Sequence, residues 1–401
     1  MNPMVYAIPV FMLSIVAEVW LTQRRGLRAY DTADALTSLH LGLMSQLAGL
    51  FLTRLLWVAV YVAAFEGLRL ATLPLASPWV WLLALIGYDF CAYWAHRLDH
   101  EVNVLWAAHV VHHTSEYFNL STALRQSSTN AFLHWIFYLP LALVGVPPAV
   151  FFTVSLVHLL YQYWVHTQLV GRLGWIDRVF VTPSNHRVHH GQNDYCIDKN
   201  YGGMLVLWDR MFGTFAEERP HETIVCGVRK PLHSFNPLWG NLHHYVELFR
   251  QTRLRRGLGA RLALWFEPPS GPAGSAPPAL DVPGFARYAS PASTAVRRYA
   301  LLQYALTLPF VMHLMTVAST LSLPGKALYA LGLLATVQCL GALLQGVAGA
   351  CRFELSRVAA LALAIALAPL WFGTALPLAL RLGIGLLCLG SAVWLLRRRA
   401  T

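Results

Sequence analysis

Charged residues are scarce in this chain: only 12% of its 401 residues are Asp, Glu, Lys or Arg. A typical soluble domain has about 25%, so the composition excludes an ordinary water-soluble protein. The six cysteines are scattered and form no CxxC pair, which argues against a disulfide framework or a zinc ribbon and is compatible with a reducing compartment. No basic, aromatic-interleaved stretch indicates nucleic-acid binding. The formal net charge of +11 therefore indicates loop charge at a membrane face.

Apolar residues dominate the chain, at 56% of the composition with a mean hydropathy of +0.48. Runs of about 20 such residues are typical of membrane-spanning helices. The first 20 residues lack the basic segment and cleavage site of a signal peptide, so we expect a retained first span. The pattern predicts an all-α integral membrane protein with about nine transmembrane helices. The predicted spans lie at about 4–21, 39–65, 78–95, 131–146, 148–166, 299–322, 327–347, 356–372 and 376–396.

The basic residues predict the orientation in the membrane. With the N-terminus outside, the outer loops hold only Arg69 and Lys326, Arg54 and Arg381 fall within spans, and every other Lys and Arg lies on the cytoplasmic side. The positive-inside rule favours this arrangement. Almost all of the 30 basic residues are arginines, which suggests a bacterial source. We therefore expect a multi-pass protein, located in the bacterial inner membrane.

Histidines are concentrated in three short motifs. An HxxxH motif at His96 and His100 precedes two HxxHH motifs, and His166 lies between the latter two. Residues three and four apart share one face of a helix, so each motif aims its imidazoles in one direction. Neutral imidazole nitrogens suit Fe, Zn or Cu. The candidate metal ligands are His96, His100, His109, His112, His113, His166, His186, His189 and His190.

The number of histidines favours two catalytic metal ions over one structural zinc. A structural zinc ion has four ligands, usually including cysteine, and the scarcity of carboxylates is unlike the ferritin-type di-iron pattern. The run Thr182-Pro183-Ser184-Asn185 predicts a helix start before the third motif. We expect these helices to form a cytoplasmic, histidine-rich, metal-binding cap. The adjoining carboxylates either orient imidazoles or are solvated loop acids, and Glu101 is also a candidate ligand; they are Asp99, Glu101, Glu116 and Asp194.

These motifs resemble the histidine boxes of the fatty acid hydroxylase/sterol desaturase superfamily of membrane di-iron oxygenases. The resemblance is specific between about 88 and 218. It is closest to the alkylglycerol monooxygenase branch. The runs that carry the likeness to this branch are Tyr117–Gln126, Tyr161–Thr167, Thr182–Gly191, Tyr195–Gly203 and Trp208–Phe215.

The resemblance implies a monooxygenase that uses two iron ions and O2 to hydroxylate a lipid C–H bond. The alkylglycerol branch hydroxylates the carbon next to the ether oxygen, using tetrahydrobiopterin, and the product collapses to a fatty aldehyde and a glycerol derivative. The implied partners are a bilayer lipid, O2 and an electron donor, either a pterin or a reductase, with zinc as an alternative occupant in a purified sample. The polar residues that we expect to take part in catalysis are Asp99, Glu101, Asn119 and Asp194.

Two alternative functions stay open. One keeps the metal site and changes the substrate, giving a sterol, fatty-acid or carotenoid hydroxylase or desaturase. The other is a membrane protein that carries or senses metal without catalysis. The sequence does not indicate the oligomeric state.

The chain divides into four predicted regions. Residues 1–77 hold the N-terminal spans, and 78–218 form a di-metal catalytic domain of the fatty acid hydroxylase type. Residues 219–298 form a cytoplasmic segment that ends in a linker at 268–296, rich in Pro, Ala, Ser and Gly. Residues 299–401 hold four further spans, which are either a dimer surface or a wall of the substrate path.

Other residues near the motifs have both a functional and a structural interpretation. Arg125 contacts a lipid head group or pterin, or else makes ordinary loop hydrogen bonds. Residues 193–199 form a lid over the site, or an ordinary loop. We expect Gly202-Gly203 to permit a tight turn, and we expect His134 and His158 to be structural.

Overall fold

The computed structural model describes residues 4–269, 280–368 and 370–399, and within these ranges the protein is mostly α-helical. Part of the expected linker, at 270–279, lies outside the described residues. The helices up to the third histidine motif are α1 (Met4–Arg24), α2 (Thr32–Ala48), α3 (Arg54–Leu68), α4 (Pro78–Glu101), α5 (Asn103–His113), α6 (Leu120–Ala123), α7 (Asn130–Leu133), α8 (Trp135–Leu143), α9 (Pro148–Trp164) and α10 (Pro183–His189).

The rest of the described chain adds helices and one small β-hairpin. A π-helix at Gly49–Thr53 separates α2 from α3, and a 3₁₀ turn covers Ile176–Arg178. Strands β1 (Leu370–Trp371) and β2 (Thr374–Ala375) are antiparallel. The remaining helices are α11 (Leu207–Met211), α12 (Pro237–Leu254), α13 (Leu258–Ala263), α14 (Thr294–Val317), α15 (Leu323–Gln345), α16 (Ala350–Leu367) and α17 (Leu378–Arg399).

The described chain forms two compact units. The larger unit contains all the histidine motifs and comprises Ile15–His233 and Trp239–Tyr288. The smaller unit comprises the remaining described residues and includes helices α14 to α17. In the smaller unit Glu354 is fully buried, and it accepts hydrogen bonds from Arg357 and Tyr299.

Membrane-spanning character is confirmed for part of the predicted spans. Among the described residues, four helices are long and apolar enough to cross a membrane. A fifth candidate is the pair Thr32–Phe51 and Leu56–Leu68, bent by 51° and so either a broken span or a re-entrant segment. The expected number of about nine is therefore not reached by length and composition. The four helices are Val5–Arg24, Thr294–Val317, Leu323–Gln345 and Leu378–Arg398.

The apolar runs expected as spans at 131–146 and 148–166 contain helices α8 and α9, which are not among the helices long and apolar enough to cross a membrane. Helix α8 has nine residues, or about 14 Å at 1.5 Å per residue, and the hydrocarbon core of a bilayer is about 30 Å thick. Helices α3, α4, α8 and α9 pack around an aromatic core, in which the rings of Tyr61 and Phe151 stack 3.8 Å apart. Burial within the protein therefore explains part of the apolar character of these runs.

Local backbone features set the start and the direction of the helices that carry the histidine motifs. Helix α4 ends at Glu101, and the extended backbone of Val102 lets α5 start in a new direction immediately afterwards. Helix α10 begins with reciprocal hydrogen bonds between Thr182 and Asn185, and Pro183 occupies its first turn. The helix start predicted before the third motif is confirmed, because side-chain caps satisfy the first free N–H groups of the helix.

Candidate metal centre

The structure brings all nine candidate histidines together in two groups. In each group, the nitrogen atoms available to a metal ion lie within 4.8 Å of one another. The groups adjoin, since the rings of His113 and His190 stack with their centroids 4.6 Å apart. Group A consists of His96, His100, His109, His113 and His189, and group B consists of His112, His166, His186 and His190.

Helix periodicity explains which histidines of one HxxHH motif share a group. Residues four apart lie on one face of a helix, and His109 and His113 accordingly share group A. Adjacent residues point about 100° apart, and His112 accordingly lies in group B beside His113 in group A. Each HxxHH motif therefore contributes to both groups, so the prediction that each motif aims its imidazoles in one direction is wrong for these two motifs.

The Nε2 atoms within each group point toward one another. In group A, His109 Nε2 lies 3.1 Å from His96 Nε2 and 3.0 Å from His113 Nε2. In group B, His186 Nε2 lies 3.0 Å from His166 Nε2 and 3.2 Å from His190 Nε2. Metal–nitrogen bonds of about 2.0–2.1 Å place neighbouring ligand atoms about 3.0 Å apart in an octahedron and about 3.3 Å apart in a tetrahedron. The spacing of the imidazoles therefore fits a metal coordination shell.

Hydrogen bonds on the other ring nitrogen, Nδ1, fix the tautomer of several histidines. A backbone carbonyl can only accept, so a ring nitrogen facing one carries the proton and leaves the Nε2 lone pair free for a metal. This arrangement occurs in both groups. The donor–acceptor pairs are His96 with Tyr201 at 2.8 Å, His189 with Lys199 at 3.0 Å, His112 with Arg125 at 3.1 Å and His166 with Gln162 at 2.8 Å.

Burial keeps eight of the nine imidazoles uncharged. Removal from water lowers the pKa of His112 to about 4, although its hydrogen bond to the Arg125 carbonyl acts in the opposite direction. Because metal ligation requires neutral imidazole, both groups hold histidine in the binding state near pH 7. Desolvation is also the main reason why the pKa values of seven other histidines lie well below the usual value. These are His96, His109, His113, His166, His186, His189 and His190.

Aromatic side chains surround the two groups. The buried ring of Phe118 lies 5.6 Å from the His166 ring and 5.3 Å from the His190 ring. The Trp106 ring lies 4.9 Å from that of His100. Such a shell restricts access of water to the imidazoles. Neither aromatic residue was predicted to belong to the site, because a single aromatic residue beside a motif has no spacing signal of its own.

Asp99 lies directly behind group A. This buried carboxylate accepts a hydrogen bond from His134 Nε2 at 2.8 Å, and its other oxygen is 3.6 Å from His109 Nδ1. Burial raises the pKa of Asp99, and the neighbouring His134 opposes that rise. The geometry fits an orienting role for Asp99 on an imidazole of group A. It also connects His134, expected as a structural residue only, to the site through Asp99.

Three other polar residues expected in catalysis have partners elsewhere. The Glu101 side chain is 43% exposed and pairs with Arg97, four residues earlier on the same helix. Asp194 is 83% exposed and pairs with Arg229. Asn119 is buried, accepts a hydrogen bond from the Ser121 N–H and donates to the Ala29 carbonyl, and so caps α6. Among the described residues, neither histidine group includes a carboxylate.

Arg125 and His158 follow their structural interpretations, whereas Glu116 is buried and is not the solvated acid of the structural interpretation. The Arg125 guanidinium is buried and pairs with Asp34 at 2.7 Å, so it is not free to contact a head group. Glu116, the remaining acid beside the motifs, accepts a hydrogen bond from the Tyr288 N–H at 2.6 Å. His158 contacts Asp89 at 2.7 Å, and that carboxylate also accepts from backbone N–H groups after the third motif. Within residues 193–199, the Lys199 carbonyl accepts a hydrogen bond from His189 of group A.

Gly202 and Gly203 serve close packing rather than a left-handed turn, since neither has a positive φ. A Cβ atom at Gly203 would lie 2.4 Å from the ring of His158, and one at Gly202 would lie 2.6 Å from the Leu205 carbonyl oxygen. The left-handed residues are Asp198 and Asn200, with φ of 56° and 58°. The expected tight turn therefore lies just before the glycines.

A fatty acid hydroxylase family model matches residues 81–214, the region that holds both histidine groups. The alkylglycerol monooxygenase of Danio rerio is 40% identical over 333 residues, which cover 81% of this chain and 73% of that protein. The chain belongs to the fatty acid hydroxylase family. Its relatives there include the alkylglycerol monooxygenase of Homo sapiens, 42% identical over 283 residues.

Coverage of these relatives is incomplete. The match covers 69% of this chain and 63% of the human protein. An ornithine lipid hydroxylase, OlsE of Rhizobium tropici, is 34% identical over 144 residues, which cover 35% of this chain and 44% of the relative. No solved structure matches this chain. Relatives named for different lipid substrates therefore match parts of this chain.

Proposed function

We propose that groups A and B each bind one iron ion and that the protein is an O2-dependent lipid monooxygenase. The proposed reaction is hydroxylation of the carbon next to the ether oxygen of an alkylglycerol, giving a fatty aldehyde and a glycerol derivative. The observation that carries this proposal is the convergence of nine imidazoles in two adjoining groups at ligand spacing. Bound iron supplies O2 activation for insertion of one oxygen atom into a C–H bond.

The residues of the chain position and protect the reaction. The histidines present Nε2 lone pairs, and carbonyls such as that of Tyr201 hold the opposite ring nitrogen protonated. Asp99 orients His109, and the Phe118 ring limits access of water on the side of group B. These contacts hold the imidazoles in one arrangement before any ligand binds, which lowers the reorganisation required during the reaction.

The relatives and the membrane helices support a lipid substrate. Alkylglycerol monooxygenases match along much of the chain, and an alkyl chain held in the bilayer reaches the site from the lipid. The distribution of basic residues supports a metal centre on the cytoplasmic side. We propose tetrahydrobiopterin as the electron donor, because the histidine motifs and their flanking runs resemble the alkylglycerol monooxygenase branch.

Hydroxylation without ether cleavage is the second candidate. The relative named ornithine lipid hydroxylase favours it, because that protein is 34% identical over 35% of this chain. In this case the protein inserts oxygen into an acyl chain and the product keeps all its carbon atoms. The two candidates differ in product and therefore in mass.

Turnover of an ether lipid by reconstituted protein tests the proposal. Iron-loaded protein in lipid nanodiscs is incubated with a 1-O-alkylglycerol, 18O2 and tetrahydrobiopterin, and the aldehyde is trapped by reduction before mass spectrometry. We expect labelled fatty alcohol from the ether lipid and none from the matched monoacylglycerol.

Variant His190→Ala is the control, because it removes a group B ligand. A hydroxylated lipid of unchanged carbon count identifies the second candidate. Bound metal without any oxidised product, with tetrahydrobiopterin or with a ferredoxin and reductase, indicates a metal carrier and refutes both candidates.

A further inference from the structure

The segment from α12 to the turn after α13 exposes an apolar face. The exposed fractions of its side chains range from 41% to 72%, although scattered single apolar residues are the rule on a soluble surface. A cluster of exposed apolar side chains of this size indicates contact with a membrane or with another protein. The residues of the apolar face are Trp239, Leu242, Val246, Phe249, Leu258, Leu262 and Phe266.

The apolar face is distinct from the side on which α12 packs. Trp239, Leu242 and Val246 recur every three or four residues and lie on one side of the helix. On the other side Leu248 is buried against Ala107 of α5. Helix α12 therefore has two apolar sides, of which one is buried in the protein and the other is exposed.

Arginines follow the same segment. Arg250, Arg253, Arg256 and Arg261 are exposed, and the acid nearest to Arg250 is Glu247, at 3.9 Å. Apolar side chains beside arginines are typical of helices that lie at the surface of an anionic bilayer. The charge of the segment thus complements acidic phospholipid head groups.

The segment is joined to the helix that carries the second histidine motif. The Asn103 amide donates to the Leu264 carbonyl at 2.9 Å, and its N–H donates to the Glu267 carbonyl at 3.0 Å. The Val104 N–H donates to the Trp265 carbonyl at 2.9 Å. These bonds attach the first turn of α5 to the region after α13.

We propose that α12 and α13 lie flat in the membrane interface, with the apolar face in the acyl region and the arginines at anionic phospholipid head groups. The segment then fixes α5, and with it the histidine groups, at a constant depth relative to the lipid. This placement differs from the expectation that residues 219–298 are wholly cytoplasmic. It does not depend on the reaction assigned to the histidines.

Spin-label accessibility in nanodiscs tests this placement. Single labels are introduced as Phe249→Cys and, as a matched control on the same helix, Glu247→Cys, in a background where Cys339 and Cys351, which are not buried, are serine. In discs that contain phosphatidylglycerol, we expect the label at 249 to be more accessible to O2 than to a water-soluble nickel chelate. The label at 247 should show the opposite order.

Lipid charge supplies the second comparison. Each arginine increases binding to an anionic membrane surface by about fivefold. The triple variant Arg250→Gln, Arg253→Gln, Arg256→Gln should therefore lower the equilibrium ratio of the membrane-inserted to the water-exposed state of the segment by about 100-fold. Pure phosphatidylcholine discs should shift the ratio in the same direction. Nickel accessibility at 249 equal to that at 247 in phosphatidylglycerol overturns the proposal. Loss of access to both reagents at 249 overturns it as well, because it indicates contact with a protein.

Discussion

Asp99 provides a perturbation that distinguishes one histidine group from the other. Its carboxylate is 3.6 Å from His109 Nδ1 in group A and accepts a hydrogen bond from His134. No such contact joins Asp99 to a described histidine of group B. Asp99→Asn keeps the size of the side chain and removes its charge. We expect this variant to weaken metal binding at group A and to leave group B unchanged.

The size of the effect follows from the position of Asp99 behind a ligand. Loss of a carboxylate that orients a ligating imidazole typically costs 10- to 100-fold in metal affinity, or about 1.4 to 2.8 kcal/mol. The buried site lies at the upper part of this range, since water cannot replace the lost negative charge. Asp194→Asn is the control: this side chain is 83% exposed and its surface ion pair with Arg229 contributes about 1 kcal/mol at most.

Metal content during competition with a chelator measures the difference. Purified variants are dialysed against increasing chelator concentrations, and iron per chain is determined by mass spectrometry. Asp99→Asn should lose one metal ion at a 10- to 100-fold lower chelator concentration than the wild-type protein, while the second ion is retained. Equal loss of both ions, or wild-type retention of both, refutes the orienting role of Asp99.

Three further predictions follow from the same geometry. His189→Ala and His190→Ala alter adjacent residues in different groups. Each variant should retain about one metal ion per chain and show the helical circular dichroism of the wild type. Loss of the same ion from both variants contradicts the division into groups. Gly203→Ala places a methyl group 2.4 Å from the His158 ring and should lower the free energy of unfolding by about 1–3 kcal/mol. The control Gly171→Ala should not lower it, because a Cβ atom there has nothing within 4 Å. Equal Tm values for the two variants argue against close packing at Gly203. Burial lowers the pKa of His112 to about 4, below the value of about 6.5 in the unfolded chain, so the unfolded state binds more protons between these values. The metal-free protein should therefore be most stable above about pH 7 and lose stability from about pH 6.5 toward pH 4. A Tm that stays constant or rises as the pH falls over that range contradicts neutral buried histidines.

Histidine spacing allowed much of the site to be predicted from the sequence. Residues four apart share a helix face, so a common group for His109 and His113 could be predicted from their spacing, whereas the separation of His112 from His109 was not predicted. The distribution between groups needed the structure, because it depends on which helix each face meets. Arg97 and Glu101 are four residues apart on one helix, a spacing that favours the ion pair found in the structure. The prediction of Glu101 as a candidate ligand did not take this spacing into account.

The number of spans was harder to predict, because apolar composition does not distinguish lipid from protein surroundings. The run at 131–146 is apolar, and yet α8 has nine residues and packs in a core with Phe151 of α9. Likewise, the contact of Asp99 with His134 joins residues 35 positions apart. No local pattern encodes such a contact, since it arises from the packing of separate helices.

The positions of metal ions in iron-loaded crystals test the central claim most directly. Anomalous scattering at the iron edge should show two peaks, one inside group A and one inside group B, each about 2.1 Å from the surrounding imidazole nitrogens. A single peak, or peaks outside the two groups with the His113 and His186 rings turned away from them, would contradict a two-metal centre.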